Sequence, residues 1–555
     1  MTNTNADALA LADRFWDQFL EIEPLIGTEV GDERFDDRLA DPSEEGLAHQ
    51  KSVFESALQE AKGLDRSSLD QVARTTLDVL EAIARRSLLG IEHRTDRFYA
   101  VNHLFGPAGL LADLGTLQQA DTPERLQRYL ARLKAVPTYL EELGKVAEGG
   151  AKVGQSAPRL VIDRTIAQIE RLLASDPAAS PAVKPVPESD AGGRQQVTDV
   201  LGDAVWPGYQ AYLDMLRRYR PMARETIGLS ALDGGDATYA ALIVSWTTLA
   251  MDPKVIHEIG QSQMDMIQQE RREIAANLGY QDIHTALAEY QASGKNTAAT
   301  RKDMLRVVED QVQRGWDAAP KYFGRLPRAN CNVLPVEEFR EADMPGAFYV
   351  PPNSDGTRTG VYYVNTYKLE ERPLHHTAST SYHEANPGHH FQISLEQEHA
   401  DRPPLRRFGS AFVGAAFTEG WGLYSERLAD EMGLFLNEYE RLGMLEAQAL
   451  RAGRLIVDTG IHALGWDRER SIAQMEKTGA PRVDAEIEVD RYIAMPGQAL
   501  AYMIGQLQIQ RWRKEAEERG GAAFSLSDFH DRLLAIGSLP LESIKRELNG
   551  APPTG

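Results

Sequence analysis

Leu11, Phe15, Phe19 and Ile22 recur at spacings of three and four near the start of the chain, with Asp and Arg between them. That is the stripe of an amphipathic helix, and Pro24 ends it. The same period runs through 70–90, 125–146, 160–174, 199–225 and 254–277. In the last of these, Ile256, Ile259, Met266, Ile267 and Ile274 make the apolar face. The intervening "DPAASPAVKPVPESDAGG" (176–193) is rich in Pro, Ala and Ser and reads as an exposed loop. Character changes near residue 330. "CNVLPVEEF" and "GAFYVPPNSDGTRTGVYYVNTY" (346–367) hold β-branched and aromatic residues around a polar, glycine-containing turn, a hairpin signal and almost the only strand signal in the chain. Helical pattern resumes at about 374 and runs to about 548, in the stretches 410–432, 437–458, 467–477, 484–515 and 526–548. The expected fold is therefore mostly α, a large helical body with a small β-sheet placed just before residue 374. Its expected organisation is a helical region over 1–330 and a second over 331–555, joined as one continuous two-lobed body. The second region carries the hairpin 346–367 and an unusual motif at 383–390.

Composition narrows the partners. The 555 residues are 42% hydrophobic and 26% charged, an ordinary globular balance. A net charge of −22 disfavours nucleic acid and anionic membrane as main partners, since both would be repelled. Cys331 is the single cysteine, so neither an internal disulfide nor a cysteine-rich zinc site is expected. The start, "MTNTNADALALADRFWDQFLE", has no basic region followed by an apolar stretch, so no signal peptide is expected. No uncharged apolar run approaches the roughly 18 residues that span a bilayer. A cytoplasmic protein acting on a small molecule or short peptide is the expectation, with a homodimer left open.

The chemistry concentrates in "YHEANPGHH" (382–390), which begins like the zinc-peptidase signature H-E-x-x-H but lacks the second histidine in its place. A catalytic divalent site needs three protein ligands and one open position. His383 suits the first ligand position, and Glu384 the base that takes a proton from water. On an ideal helix His389 lies about 120° off the face of His383, while His390 returns to the face about 10.5 Å along the axis. Pro387 cannot donate to the carbonyl of His383, and Gly388 tolerates almost any backbone angle, so a kink or bulge there can bring a later histidine back. The plain alternative is a helix break followed by solvated histidines, and His375–His376 and His399 read as such surface residues.

Two downstream stretches add groups. "FTEGWGLYSERLADE" (417–431) sets Glu419 among aromatic and small residues, with Glu426 seven positions on and able to face the same way. Two histidines with Glu419 would complete a His₂Glu set. The alternative for Glu419 is an ion pair with Arg406 or Arg407, and Glu426 suits either such a pair or the orientation of a histidine. "EVDRYIAMPGQALAYMIGQ" (488–506) offers Tyr492 and Tyr502 as hydrogen-bond donors to an oxyanion, each equally readable as a core tyrosine. His462, in "DTGIHALGWDRE", is a further candidate beside its reading as a core histidine.

The run His383 to His390 with Gln392, then "TEGWGLYSE", "DTGIHALGW" and "DRYIAMPGQALAYMIG", resembles in that order a large bacterial family catalogued as domain of unknown function 885. "TTLAMDPKVIHEIG" (247–260) is similar to it as well, so the resemblance covers most of the chain. It implies a mostly helical, zincin-like fold related to gluzincin metallopeptidases such as carboxypeptidase Taq and angiotensin-converting enzyme. The common form H-E-x-x-P-G-H in relatives implies His389 as second ligand, with His390 as the alternative. It also implies Glu419 as the glutamate ligand and Tyr492 as the catalytic tyrosine. The expected function is a zinc-dependent hydrolase cleaving amide bonds of short peptides, with another divalent metal open. His383, His389 and Glu419 would hold the metal, Glu384 would be the base, and Tyr492, with His462, would stabilise the oxyanion. An edge of the hairpin could pair with an extended substrate. The competing expectations are another metal-dependent reaction of a small molecule on the same fold, or a helical binding protein without catalysis.

Overall fold

The computed structural model describes residues 4–338, 341, 344–352 and 359–550. Thr4 opens helix α1 (Asn5–Ile22): its hydroxyl accepts from the Asp7 N–H while the Asp7 carboxylate accepts from the Thr4 N–H. Leu11, Phe15, Phe19 and Ile22 are buried along one face, as their spacing predicts. Pro24 begins the next short helix.

The chain divides into two compact units. One comprises Met1–Leu242, Gly460–Ser471 and Glu486–Pro496, the other Ile243–Thr459, Ile472–Ala485 and Gly497–Gly555. This differs from the expected boundary at 330. The change at 330 is from helix to strand, not from one core to another: Met304, Val308 and Val312 before it share a buried cluster with Tyr362 and Val364 after it.

In the first unit α2 (Pro123–Lys152) and α3 (Trp206–Tyr219) carry much of the core. Three buried tyrosines of α3 each satisfy their hydroxyl: Tyr209 donates to the Pro107 carbonyl (2.6 Å), Tyr212 donates to that of Ala100 (3.1 Å), and Tyr219 accepts from the Ala157 N–H (2.8 Å). The stretch 176–193 is not the exposed loop its composition suggests. Its prolines set two 3₁₀ turns, Pro177–Ala179 and Pro181–Val183, that drop Ala182, Val183 and Val186 into the core. The Tyr129 hydroxyl of α2 donates to the Ala182 carbonyl at 2.6 Å.

The second unit holds a three-stranded sheet in the order β1 (Cys331–Pro335), β3 (Gly360–Val364), β2 (Ala347–Val350). β2 and β3 pair antiparallel, Ala347 opposite Val364 and Val350 opposite Val361, as a hairpin requires. The expected turn at 353–358 lies outside the described residues. β1 joins β3 in parallel, and α4 (Arg301–Ala318) packs its Met304, Val308 and Val312 on the sheet. Then follow α5 (Leu374–Glu384), α6 (His389–Gln397), α7 (Ala415–Glu431), α8 (Glu438–His462), α9 (Ala501–Gly520) and α10 (Leu526–Ile536). The stretch 484–515 is two helices, Arg482–Ala494 and α9, with Gly497 at φ +84° between them. Among the described residues no helix is long and apolar enough to cross a membrane.

A buried histidine ties α10 to α7. His530 donates from Nδ1 to the Tyr322 carbonyl (2.9 Å) and accepts at Nε2 from the Tyr424 hydroxyl (2.8 Å). Burial pulls its imidazole down from 6.5 to about 4. Between those values the unfolded chain binds a proton that the folded chain does not, so this contribution is full above pH 6.5 and is lost as pH falls toward 4. The loss is on the order of 3 kcal/mol. We expect urea midpoints to drop between pH 7 and pH 4.5 and the drop to shrink in His530→Gln; an equal drop in both proteins would contradict the assignment.

Candidate metal centre

The unusual motif is a helix end followed by a helix start, where the spacing alone predicts a kink or bulge. α5 stops at Glu384, and α6 begins at His389. His383 thus sits at the end of one helix and His389 at the start of the next. Their ring centroids are 4.7 Å apart, with planes at 85°.

Such a break exposes backbone carbonyls that need donors. α7 supplies them. Trp421 Nε1 donates to the carbonyls of Pro387 (3.0 Å) and Gly388 (3.2 Å), and the Ser425 hydroxyl donates to Pro387 (3.3 Å). From the other side the Asn386 side-chain amide donates to the Val312 carbonyl of α4 at 3.2 Å. A Cβ on Gly388 would meet the His383 carbonyl oxygen at 1.9 Å, so only glycine fits this turn back onto α5.

The same face of α7 builds the centre. Glu419 Oε2 lies 3.6 Å from His383 Nε2 and 3.6 Å from His389 Nε2. That is too long for a hydrogen bond. It is close to the roughly 3.4 Å that separates two ligands held about 2.0–2.1 Å from a tetrahedral ion. The Glu384 carboxylate joins the two histidines in a group whose ligand atoms all lie within 4.8 Å of one another. One turn from Glu419, Gly422 lets the imidazole lie against the helix: a Cβ there would stand 2.7 Å from the His383 ring. One turn further, Glu426 Oε1 receives the His383 Nδ1–H at 2.8 Å. Its other oxygen accepts from the Ser379 hydroxyl (2.9 Å) and the Gln448 amide (3.4 Å).

These contacts fix the chemistry of the imidazole. With Nδ1 donating to Glu426, Nε2 faces the Glu419 carboxylate, and a positive charge, either a proton on Nε2 or a metal ion, belongs between them. Burial alone lowers His383, but the Glu419 and Glu426 carboxylates outweigh it and raise it to about 9. Burial likewise favours a neutral Glu419, yet His383 and His389 hold its carboxyl well below the usual range. The donor set therefore fits a divalent metal in charge, spacing and ligand type. One element of a finished centre is missing: His389 Nδ1 is buried without a hydrogen-bond partner, so packing alone orients that ring. Glu419 keeps a quarter of its side chain exposed, against 5% for His383, so the centre opens on its glutamate side.

His390 lies outside this cluster. Its ring is fully buried, with Nε2 on the Ala329 carbonyl (2.9 Å) and Nδ1 near the Tyr349 hydroxyl (2.9 Å), and burial lowers it to about 4. Arg406 is not the partner of Glu419, because it is committed to Glu396 (3.0 Å) and to the carbonyl of Ser538 (3.1 Å). His462 and Tyr492 both belong to the first unit. His462 accepts from the Leu229 N–H (3.3 Å) and donates to the Tyr492 carbonyl (3.0 Å), so both ring nitrogens serve the backbone. Tyr492 is buried and its hydroxyl donates to Glu488 at 2.5 Å. Tyr502 instead lies under the Arg454 guanidinium, 4.4 Å from the ring centre. Sequence reasoning missed Trp421, Gly422 and Ser425. Their signal was the pattern 419, 422, 426 beside 421, 425, two adjoining stripes of one helix face.

The fold is similar to that of a "putative lipoprotein" from Colwellia psychrerythraea. That structure is 25% identical in sequence, with a TM-score of 0.90 and 99% of each chain covered. A second solved structure, a "putative lipoprotein of unknown function" from Shewanella oneidensis, is 18% identical and shares the fold with a TM-score of 0.77 over 97% of this chain and 99% of its own. No curated protein matches the chain. Residues 24–548 match the family described as bacterial protein of unknown function, DUF885, and the chain belongs to that family.

Proposed function

We propose that this protein is a metal-dependent hydrolase of the gluzincin type, acting on amide bonds of short peptides, with Zn²⁺ the favoured ion. The observation that carries the proposal is the convergence of His383 Nε2, His389 Nε2 and Glu419 Oε2, with Glu384 alongside. His383, His389 and Glu419 would hold the ion, which when bound supplies Lewis acidity toward a water and a carbonyl oxygen. Glu384 takes the proton of the attacking water and passes it to the leaving amine. Glu426 keeps the proton of His383 on Nδ1, which leaves Nε2 for the ion. Among the described residues β2 pairs only with β3, and Tyr349 of β2 reaches His390 of α6 (2.9 Å), so an extended peptide added to β2 would run near the centre. His383, Glu384, His389, Glu419 and Glu426 all belong to the second unit.

Purified protein should contain about one tightly held zinc at this centre and hydrolyse a library of short peptides in a chelator-sensitive manner. Peptide hydrolysis untouched by chelation, or a protein that takes up no zinc through His383 and His389, would defeat the proposal. Chelator-sensitive turnover of a non-peptide ester or amide, with peptides refused, would keep the centre and change the substrate class.

A further inference from the structure

Asn296 orients a second histidine, His375, which lies 79 residues further along the chain, on the same helix as His383. Its side-chain oxygen accepts the backbone N–H of His375 (3.0 Å) and faces His375 Nδ1 at 3.0 Å. Its amide nitrogen donates to Gln291 at 2.9 Å. The backbone N–H demands an oxygen at that position, so the amide cannot be reversed, and His375 must carry its proton on Nδ1. His375 Nε2 then faces Glu446 Oε2, 2.9 Å away, and is the nitrogen left for a ligand. His376 Nε2 approaches the same oxygen at 2.5 Å. The three ligand atoms lie within 4.8 Å of one another. His375 is buried, and two imidazole nitrogens and one carboxylate oxygen converge beside it, a donor set that a divalent cation can bind together.

We propose that His375, His376 and Glu446 form a second divalent metal site, independent of the centre at His383, at the opposite end of α5. Two imidazoles and one carboxylate select a borderline ion such as Zn²⁺, Co²⁺ or Ni²⁺ over Ca²⁺ or Mg²⁺. Asn296 plays the supporting role that a carbonyl or carboxylate plays behind ligating histidines. The carboxylate is delivered by a close helix contact: Gly443, one turn before Glu446 on α8, packs where a Cβ would stand 1.9 Å from the His375 carbonyl oxygen. His376 is half exposed, with 49% of its side chain in solvent. Its ring has room on the solvent side to swing outward as the ligands spread to accept the ion.

The test is Co²⁺ and Zn²⁺ titration of the metal-stripped full chain, competed against a chromogenic chelator. Wild type should bind two equivalents. His376→Ala, at a half-exposed position, should bind one, with peptide hydrolysis unchanged. The same pair of measurements in a His383→Ala, His389→Ala background separates this site from the first. There one equivalent should remain and vanish on adding His376→Ala. Glu446→Gln should weaken that equivalent at least tenfold while the far-ultraviolet circular dichroism stays that of wild type. A background protein that binds no metal, or one whose remaining equivalent ignores both His376→Ala and Glu446→Gln, overturns the site whatever becomes of the first centre.

Discussion

Glu384→Gln is expected to lower peptide turnover by about 10²–10⁴-fold, the range for losing a general base, while bound zinc stays at the wild-type level. The two outcomes separate because Glu384 closes α5 beside His383 but is not one of the three groups that meet at 3.6 Å. Gln keeps the volume and the hydrogen-bonding reach of Glu, so the ligand positions of His383 and His389 should not move. It cannot accept a proton from water at neutral pH, and it cannot hand one to the leaving amine. The loss should fall on kcat more than on KM, since the group acts on the reacting atoms and not on the rest of the peptide. Metal content and kcat are measured on the same preparation. Wild-type kcat in a metal-replete Glu384→Gln protein would remove the residue from the mechanism, and loss of metal with activity would make it a ligand.

Glu426→Gln should cost about 10–100-fold in zinc affinity without unfolding the chain. Glu426 is 1% exposed, and its work is done through His383 Nδ1 at 2.8 Å. The amide retains an oxygen for that N–H, but it loses the negative charge that makes the imidazole a stronger donor through Nε2. It must also place its NH₂ opposite the Ser379 hydroxyl, which has to turn from donor to acceptor. Competition with a chelator of known strength reads the affinity. Ser379→Ala, which removes one of several hydrogen bonds to Glu426, should cost less than Glu426→Gln. An affinity equal to wild type in Glu426→Gln would mean that packing, with Gly422 against the ring, holds His383 alone.

Local rules carried the reading of this chain far where a feature is local. The stripe Leu11, Phe15, Phe19, Ile22 is buried as spaced, the hairpin strands pair, and the break at Pro387 is real. The family form H-E-x-x-P-G-H favoured His389, and the structure brings that residue, and not His390, beside His383. What stayed hidden depends on partners distant in sequence. Val312 meets Asn386, Gln448 meets Glu426, and Asn296 meets His375 across gaps of 74, 22 and 79 residues, and no periodicity encodes such pairs. The two compact units do not part at 330 for a related reason, because a change of element type carries no information about which core an element joins. His375 looked like a surface histidine because its burial comes from α8, some 70 residues later.

The interruption between Glu384 and His389 has a mechanical consequence. In an unbroken H-E-x-x-H helix both histidines ride on one rod, and the ion adds little to its rigidity. Here they ride on two separate rods, while Glu419 rides on a third. An ion at their meeting point would act as a clasp across three helix axes. Occupancy would then set how firmly α6 is latched to α5 and α7. With Glu419 on the open side, whatever enters there would press directly on that latch.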